Sequence, residues 1–168
     1  KHALIVGGAG FIGSNLAKVL LSLDYQVTVV DNFSRGKSEY LEKCITNTRF
    51  KLLNFNVAEG SQCENAFLEA KQDGKVTEVW HLAANSDIPA GVLNPDIDLK
   101  DTFLTTFEIL KAMNKFDVKV INFASSSAIY GDFGDEMIHE SIGPLLPISN
   151  YGAMKLASEA QISAASEG

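Results

Sequence analysis

The run ALIVGGAGFIGSNLAKVL, Ala3 to Leu20, restricts the fold more than any other part of the chain. An apolar stretch of strand character leads into four glycines, Gly7, Gly8, Gly10 and Gly13, and then into apolar residues at helical spacing. Glycine is costly inside regular structure, so such a cluster marks a backbone that must turn sharply or let something approach closely. Two registers fit, Gly8-x-Gly10-x-x-Gly13 and Gly7-x-x-Gly10-x-x-Gly13. In either, Gly7 and Gly8 serve the tight turn, Gly10 lets backbone approach a pyrophosphate, and Gly13 lets the helix pack on the sheet. Phosphates would meet the N–H groups of the helix N-terminus near Phe11 and Ile12.

Apolar runs then alternate with helical patterns. Residues 3–6, 26–30, 50–55, 76–82 and 118–124 read as strands, several of them almost wholly apolar, as strands covered on both faces are. Helical patterns occupy 12–23, 59–73, 96–115 and 150–166, with a short helix over 37–46. This alternation predicts an α/β fold with an open, doubly wound parallel sheet. The segments 83–95 and 125–149 read as loops that follow strands, where ligands bind in such folds.

Composition narrows the partners. Of 168 residues, 14 are Lys or Arg and 21 are Asp or Glu, a net charge of −7. No basic block exists, so nucleic acid and anionic membranes are disfavoured, and phosphate binding must be local and made by backbone. No apolar run reaches the length of a membrane span and no signal peptide is evident, which leaves a cytoplasmic location as the expectation. Cys44 and Cys63 stand in no metal or redox spacing and read as buried thiols. His81 reads as a structural residue of a buried strand, His139 has no second histidine or cysteine nearby, and no metal is expected.

Asp31 ends the second strand. A carboxylate there accepts hydrogen bonds from ribose hydroxyls and repels a 2′-phosphate, so the pattern predicts NAD rather than NADP. A second constellation is SSSAIYG, 125–131, followed by SNYGAMK, 149–155. Tyr151 and Lys155 share one face of the last helix. An ammonium about 4–5 Å from a phenol favours phenolate by roughly 3–4 kcal/mol at an effective dielectric of about 20. Lys155 is therefore expected to lower the Tyr151 pKa, so that the phenolate takes the proton of an alcohol while a serine from the preceding strand end bonds the same oxygen.

Together, GGAGFIGS (7–14), VVDN (29–32), VWHLAA (79–84), SSSAIYG and YGAMK (151–155) resemble the extended short-chain dehydrogenase/reductases, in particular the NAD-dependent nucleotide-sugar epimerase/dehydratase group, UDP-glucose 4-epimerase-like. The motifs run through the chain in that family's order. The resemblance implies a Rossmann fold and the Gly7, Gly10, Gly13 register, with Gly8 an extra small residue. It implies that Ser126 is the catalytic serine, Tyr151 the base, and Lys155 a ligand of the nicotinamide ribose. Asn32, Asn56 and Val57 would flank the adenosine, and Ala83 and Ala84 would line the cofactor. Three departures accompany it. Asn56 replaces the usual acid, Thr102 and Thr105 replace an asparagine and a glycine, and the family continues with a substrate domain beyond residue 168. Residues 1–168 would thus be the NAD-binding domain, a homodimer being expected of the longer protein.

The resemblance also separates reactions. Dehydratases of the group carry an Asp-Glu pair after the catalytic hydroxyl residue, where this chain has Ser127 and Ala128. A nucleotide-sugar 4-epimerase, working by transient oxidation at C4, is the resulting expectation. The alternatives are a decarboxylase, a dehydratase, a keto-sugar reductase, or a non-catalytic dinucleotide sensor, the last opposed by Ser126, Tyr151 and Lys155.

Overall fold

A computed structural model describes residues 1–167. In chain order the elements are β1 His2–Val6, α1 Phe11–Ser22, β2 Gln26–Asp31, α2 Glu42–Ile45, β3 Phe50–Asn54, α3 Gly60–Lys71, β4 Glu78–His81, α4 Ile88–Leu93, α5 Pro95–Asp98, α6 Thr105–Lys115, β5 Ile121–Phe123 and α7 Asn150–Glu167. They form two compact units, residues 1–83 with 108–124, and residues 84–107 with 125–168.

The first unit holds the whole sheet. Its five strands are all parallel, in the order β3-β2-β1-β4-β5. Alternation along β1 divides the core between the two faces. Leu4 and Val6 pack with Phe67 of α3 and with Ile109 and Met113 of α6. Ala3 and Ile5 pack with Ala17, Leu20 and Leu21 of α1 and with Leu41. Helices therefore cover both faces, which is why strand interiors such as VTVV tolerate no charge. Strand order reverses between β1 and β4, so the carboxyl ends of these strands adjoin at a topological switch point. The turn after β1 sits there.

The second unit contains α4, α5, α7, a π-helical stretch Leu99–Leu104 and a 3-10 turn Ser127–Ile129. The helix expected over 96–115 is one continuous path with three geometries. The π stretch is accommodated by two threonines: Thr105 and Thr106 donate their hydroxyls to the Thr102 carbonyl, at 2.9 and 3.3 Å. Helix α4 lies in a segment expected to be loop. Its start is nonetheless written in the sequence, since Asp87 caps it by accepting from the Ala90 N–H at 3.1 Å and proline stands in its first turn.

Candidate functional site

In the first unit the glycine turn is dictated by its surroundings. Gly7 has φ +78°, and a Cβ there would lie 2.7 Å from the Ala83 nitrogen, so β1 and β4 meet too closely for any side chain. A Cβ at Gly13 would lie 2.6 Å from the Gly8 Cα, which is the close helix–turn packing expected of it. Gly8, expected to be a spare small residue, has its own role: a Cβ would meet the Val29 methyls at 2.7 and 2.8 Å. Gly10 differs. The nearest atom to a Cβ there is the Gly7 carbonyl oxygen at 3.3 Å, so of the four turn glycines this one is pressed least by the protein's own packing. Gly10 caps α1 without a side-chain hydrogen bond, and the first N–H groups of a helix, those of Phe11, Ile12 and Gly13 here, have no intrahelical acceptor. Phe11 and Ile12 are exposed. The turn thus offers an anion cradle of backbone N–H groups.

Asp31 is aimed by two backbone donors. The Ala9 N–H donates to its Oδ2 at 2.9 Å and the Phe33 N–H to its Oδ1 at 2.8 Å. Two of four lone-pair positions are used, which leaves acceptors for a pair of hydroxyls. Asn32 accepts from the Ser34 N–H at 3.0 Å and Asn56 from the Ala58 N–H at 3.1 Å, each shaping a turn after its strand. Val57 is buried in the core beside α3, and Ala83 packs partly against that core. The N–H groups of the turn and the open acceptors of Asp31 are of the kind a dinucleotide's pyrophosphate and ribose would require.

The second unit gathers the expected chemistry. Ser126 precedes the 3-10 turn and its Oγ accepts from the Ala128 N–H at 3.2 Å. The Ser126 hydroxyl stands close enough to the Tyr151 phenol to favour its ionised form. Ser149 caps α7 by accepting from the Gly152 N–H at 3.0 Å. What lets helix and turn meet is Gly152, where a Cβ would overlap the Ala128 carbonyl oxygen. This supporting glycine escapes sequence reasoning, although a glycine inside a helical pattern is a usable signal. Ala84 opens this unit, half-buried, followed by buried Asn85.

The electrostatics correct one expectation. Lys155 Nζ lies 5.9 Å from the Tyr151 ring centroid, and the Tyr151 pKa is raised, not lowered. Burial is the main cause and the charge of Asp98 adds to it, against the opposing influence of the Ser126 hydroxyl. Lys155 is only 1% exposed, and burial pushes its ammonium down to about 8, with Glu159 partly opposing. The pair is a phenol and a weakened ammonium. Cys63 is a buried thiol pushed up to about 12, and Cys44 is buried too. Among the described residues no three His, Cys, Asp or Glu side chains stand together as a metal site, and no helix is long and apolar enough to cross a membrane.

The sequence pattern of the NAD dependent epimerase/dehydratase family matches residues 3–168. The chain is 33% identical over 161 residues to a putative UDP-glucose 4-epimerase of Methanocaldococcus jannaschii, covering 95% of this chain and 49% of that protein. It is 34% identical over 132 residues to UDP-glucuronic acid decarboxylase 1 of Danio rerio, covering 79% of this chain and 29% of that one. Among solved structures, the UDP-glucose 4-epimerase of Thermus thermophilus in complex with NAD superposes with a TM-score of 0.88 at 30% identity, over 99% of this chain and 51% of that chain. The chain spans about half or less of the length of these relatives.

Proposed function

The chain belongs to the NAD-dependent epimerase/dehydratase family, and we propose that it is the cofactor-binding part of a nucleotide-sugar 4-epimerase. One observation carries the proposal: Ser126 beside Tyr151, with Lys155 one helical turn on, stands without an acid at 127 or 128. Elimination of water needs a further proton donor and acceptor, whereas oxidation and re-reduction at one carbon needs a single group that takes and returns one proton.

The cofactor is NAD, which when bound supplies the hydride acceptor and donor for that carbon. The turn Gly7–Gly13 would hold its pyrophosphate and Asp31 its adenosine ribose, with Asn32, Asn56 and Val57 beside the adenosine and Ala83 and Ala84 along it. Tyr151 takes the proton of the sugar hydroxyl and gives it back. Ser126 orients the phenol and donates to the developing oxyanion. Lys155, charged below about pH 8, stabilises the phenolate and binds the nicotinamide ribose. Because burial favours the phenol form of Tyr151, its base form belongs to the site with sugar and cofactor bound.

The residues that choose the sugar, on this reading, lie in the part of the relatives' length that this chain does not span, and the working enzyme is a cytoplasmic homodimer. The test is incubation of the longer protein with UDP-glucose, UDP-N-acetylglucosamine and their uronic acids, followed by NMR of the products. A C4 epimer formed without net NADH supports the reading. Loss of carbon dioxide would favour a decarboxylase, the reading to which the Danio rerio relative lends weight, and loss of water a dehydratase.

A further inference from the structure

In the second unit, Asp98 at the end of α5 is fully buried. Its Oδ1 accepts from the Asn85 Nδ2–H at 2.8 Å, while its Oδ2 has no hydrogen-bond partner among the described residues. The same Asn85 organises the approach to helix α4. Its Nδ2 also donates to the Asp87 carbonyl at 2.8 Å, its Oδ1 accepts from the Asp87 N–H at 2.8 Å, and its N–H donates to Thr102 Oγ1 at 3.2 Å. Asp98 Oδ2 occupies the place a side chain at Gly91 would take: a Cβ there would collide with it. The Gly91 carbonyl in turn accepts from the Asn150 Nδ2–H at 2.9 Å, and Asn150 is the residue before Tyr151. A carboxylate seated between Asn85 and Gly91 is therefore two contacts from the start of the helix that carries the phenol.

A buried carboxylate with one oxygen unpartnered is expensive to keep, and an amide or an apolar residue would fill the seat more cheaply. Its negative charge is the property that those replacements lack. We propose that Asp98 is a positioning residue for Tyr151, which fixes the 84–94 segment and helix α7 together and whose carboxyl charge acts on the phenol. The proposal rests on the reading of Tyr151 as the proton-transfer group.

The charged neighbours of α7 single out Asp98. Helix α4 carries no charge, and α5 has Asp96, which is exposed, beside Asp98. The π-helical stretch has Lys100 and half-buried Asp101, the 3-10 turn has none, and α7 itself carries Lys155, Glu159 and Glu167. Of the acids, Asp98 is the one whose charge raises the Tyr151 pKa.

The test needs no turnover, so its failure is separate from failure of the proposed reaction. Tyr151 ionisation is followed by near-ultraviolet phenolate absorbance, as the difference between the chain and Tyr151→Phe, because Tyr25, Tyr40 and Tyr130 also titrate. Asp98→Asn should move the Tyr151 midpoint down. Asn85→Ala, which removes the hydrogen bond and keeps the carboxyl group, should lower it less. An unchanged or raised midpoint in Asp98→Asn overturns the proposal, and so does an equal fall in Asn85→Ala, which would reduce Asp98 to a structural part. If Asp98→Asn does not fold, the unaltered chain answers instead. With 13C-labelled carboxyls, the Asp98 resonance should inflect at the Tyr151 midpoint and lose that inflection in Tyr151→Phe. No inflection refutes the coupling.

Discussion

At the scale of single residues, burial disfavours the charged form of both Tyr151 and Lys155. Tyr151→Phe in the longer enzyme should cut kcat by about 10³-fold or more while NAD binding is unaffected, and Ser126→Ala should cost roughly 10²-fold. Steady-state kinetics with calorimetry of NAD binding checks both. Lys155 yields a prediction of sign. Its folded-state pKa of about 8 lies below the ordinary lysine value of 10.5, so the folded chain binds fewer protons between those values. Its charge thus destabilises the fold fully below about pH 8, and that cost fades as pH rises to the unfolded value. Lys155→Met should accordingly raise Tm at pH 7, with the gain shrinking as pH climbs towards 10.5, and should abolish turnover. Melting curves across that range settle the matter, and a pH-independent difference would contradict the assignment. Asp31 carries the cofactor choice. Its carboxylate is held by the Ala9 and Phe33 N–H groups, so Asp31→Ala loses the ribose acceptor and removes the charge that repels a 2′-phosphate. The NAD-over-NADP preference should narrow by about tenfold or more in calorimetry, on the scale of one charged hydrogen bond.

At the scale of elements, the sheet and most helices are legible because their signals are local. Five apolar runs correspond to five strands, each within a few residues of its expected bounds, since a strand covered on both faces must be apolar along its length. The glycine turn is legible for the same reason. What stays hidden depends on contacts distant in sequence. Nothing around Asp98 in PDIDLKD separates it from its exposed neighbour Asp96, and its burial follows from where Asn85 and Gly91 sit. The raised Tyr151 pKa is hidden too, because helical spacing places Lys155 on the right face without fixing how deeply either group is buried. Helix α7 and the Ser127–Ile129 turn meet through Gly152, which supplies a further prediction. Gly152→Ala sets a methyl against the Ala128 carbonyl, and a backbone atom cannot rotate out of the way. Helix or turn must shift, at a cost of about 1–3 kcal/mol in urea denaturation. The Ser126 hydroxyl, whose proximity lowers the Tyr151 pKa, should move away from the phenol, so the Tyr151 midpoint should rise. A variant that keeps both its stability and its midpoint would show that the close approach is not needed.

At the scale of the whole molecule, the division into two units sorts the chemistry. The first unit carries the turn and Asp31, and so the contacts proposed for pyrophosphate and adenosine. The second carries Ser126, Tyr151 and Lys155, together with buried Asp98. The relatives matched run to about twice this length or more, and the proposed place of sugar selection is the remainder. Proton transfer at C4 depends on holding the hydroxyl in line with the phenol, and such positioning is worth about 7–11 kcal/mol in well-oriented reactions. The polypeptide of 168 residues should therefore bind NAD weakly and measurably, yet leave UDP-glucose unchanged over hours. Calorimetry with NAD and NMR of the incubated sugar read the two halves of this expectation separately. Asp31→Ala should remove the binding heat and leave the fold intact, which ties the affinity to the first unit. Should the 168 residues alone produce the C4 epimer, the proposal that sugar selection lies in the length they do not span would be wrong, and the second unit would have to hold the substrate itself.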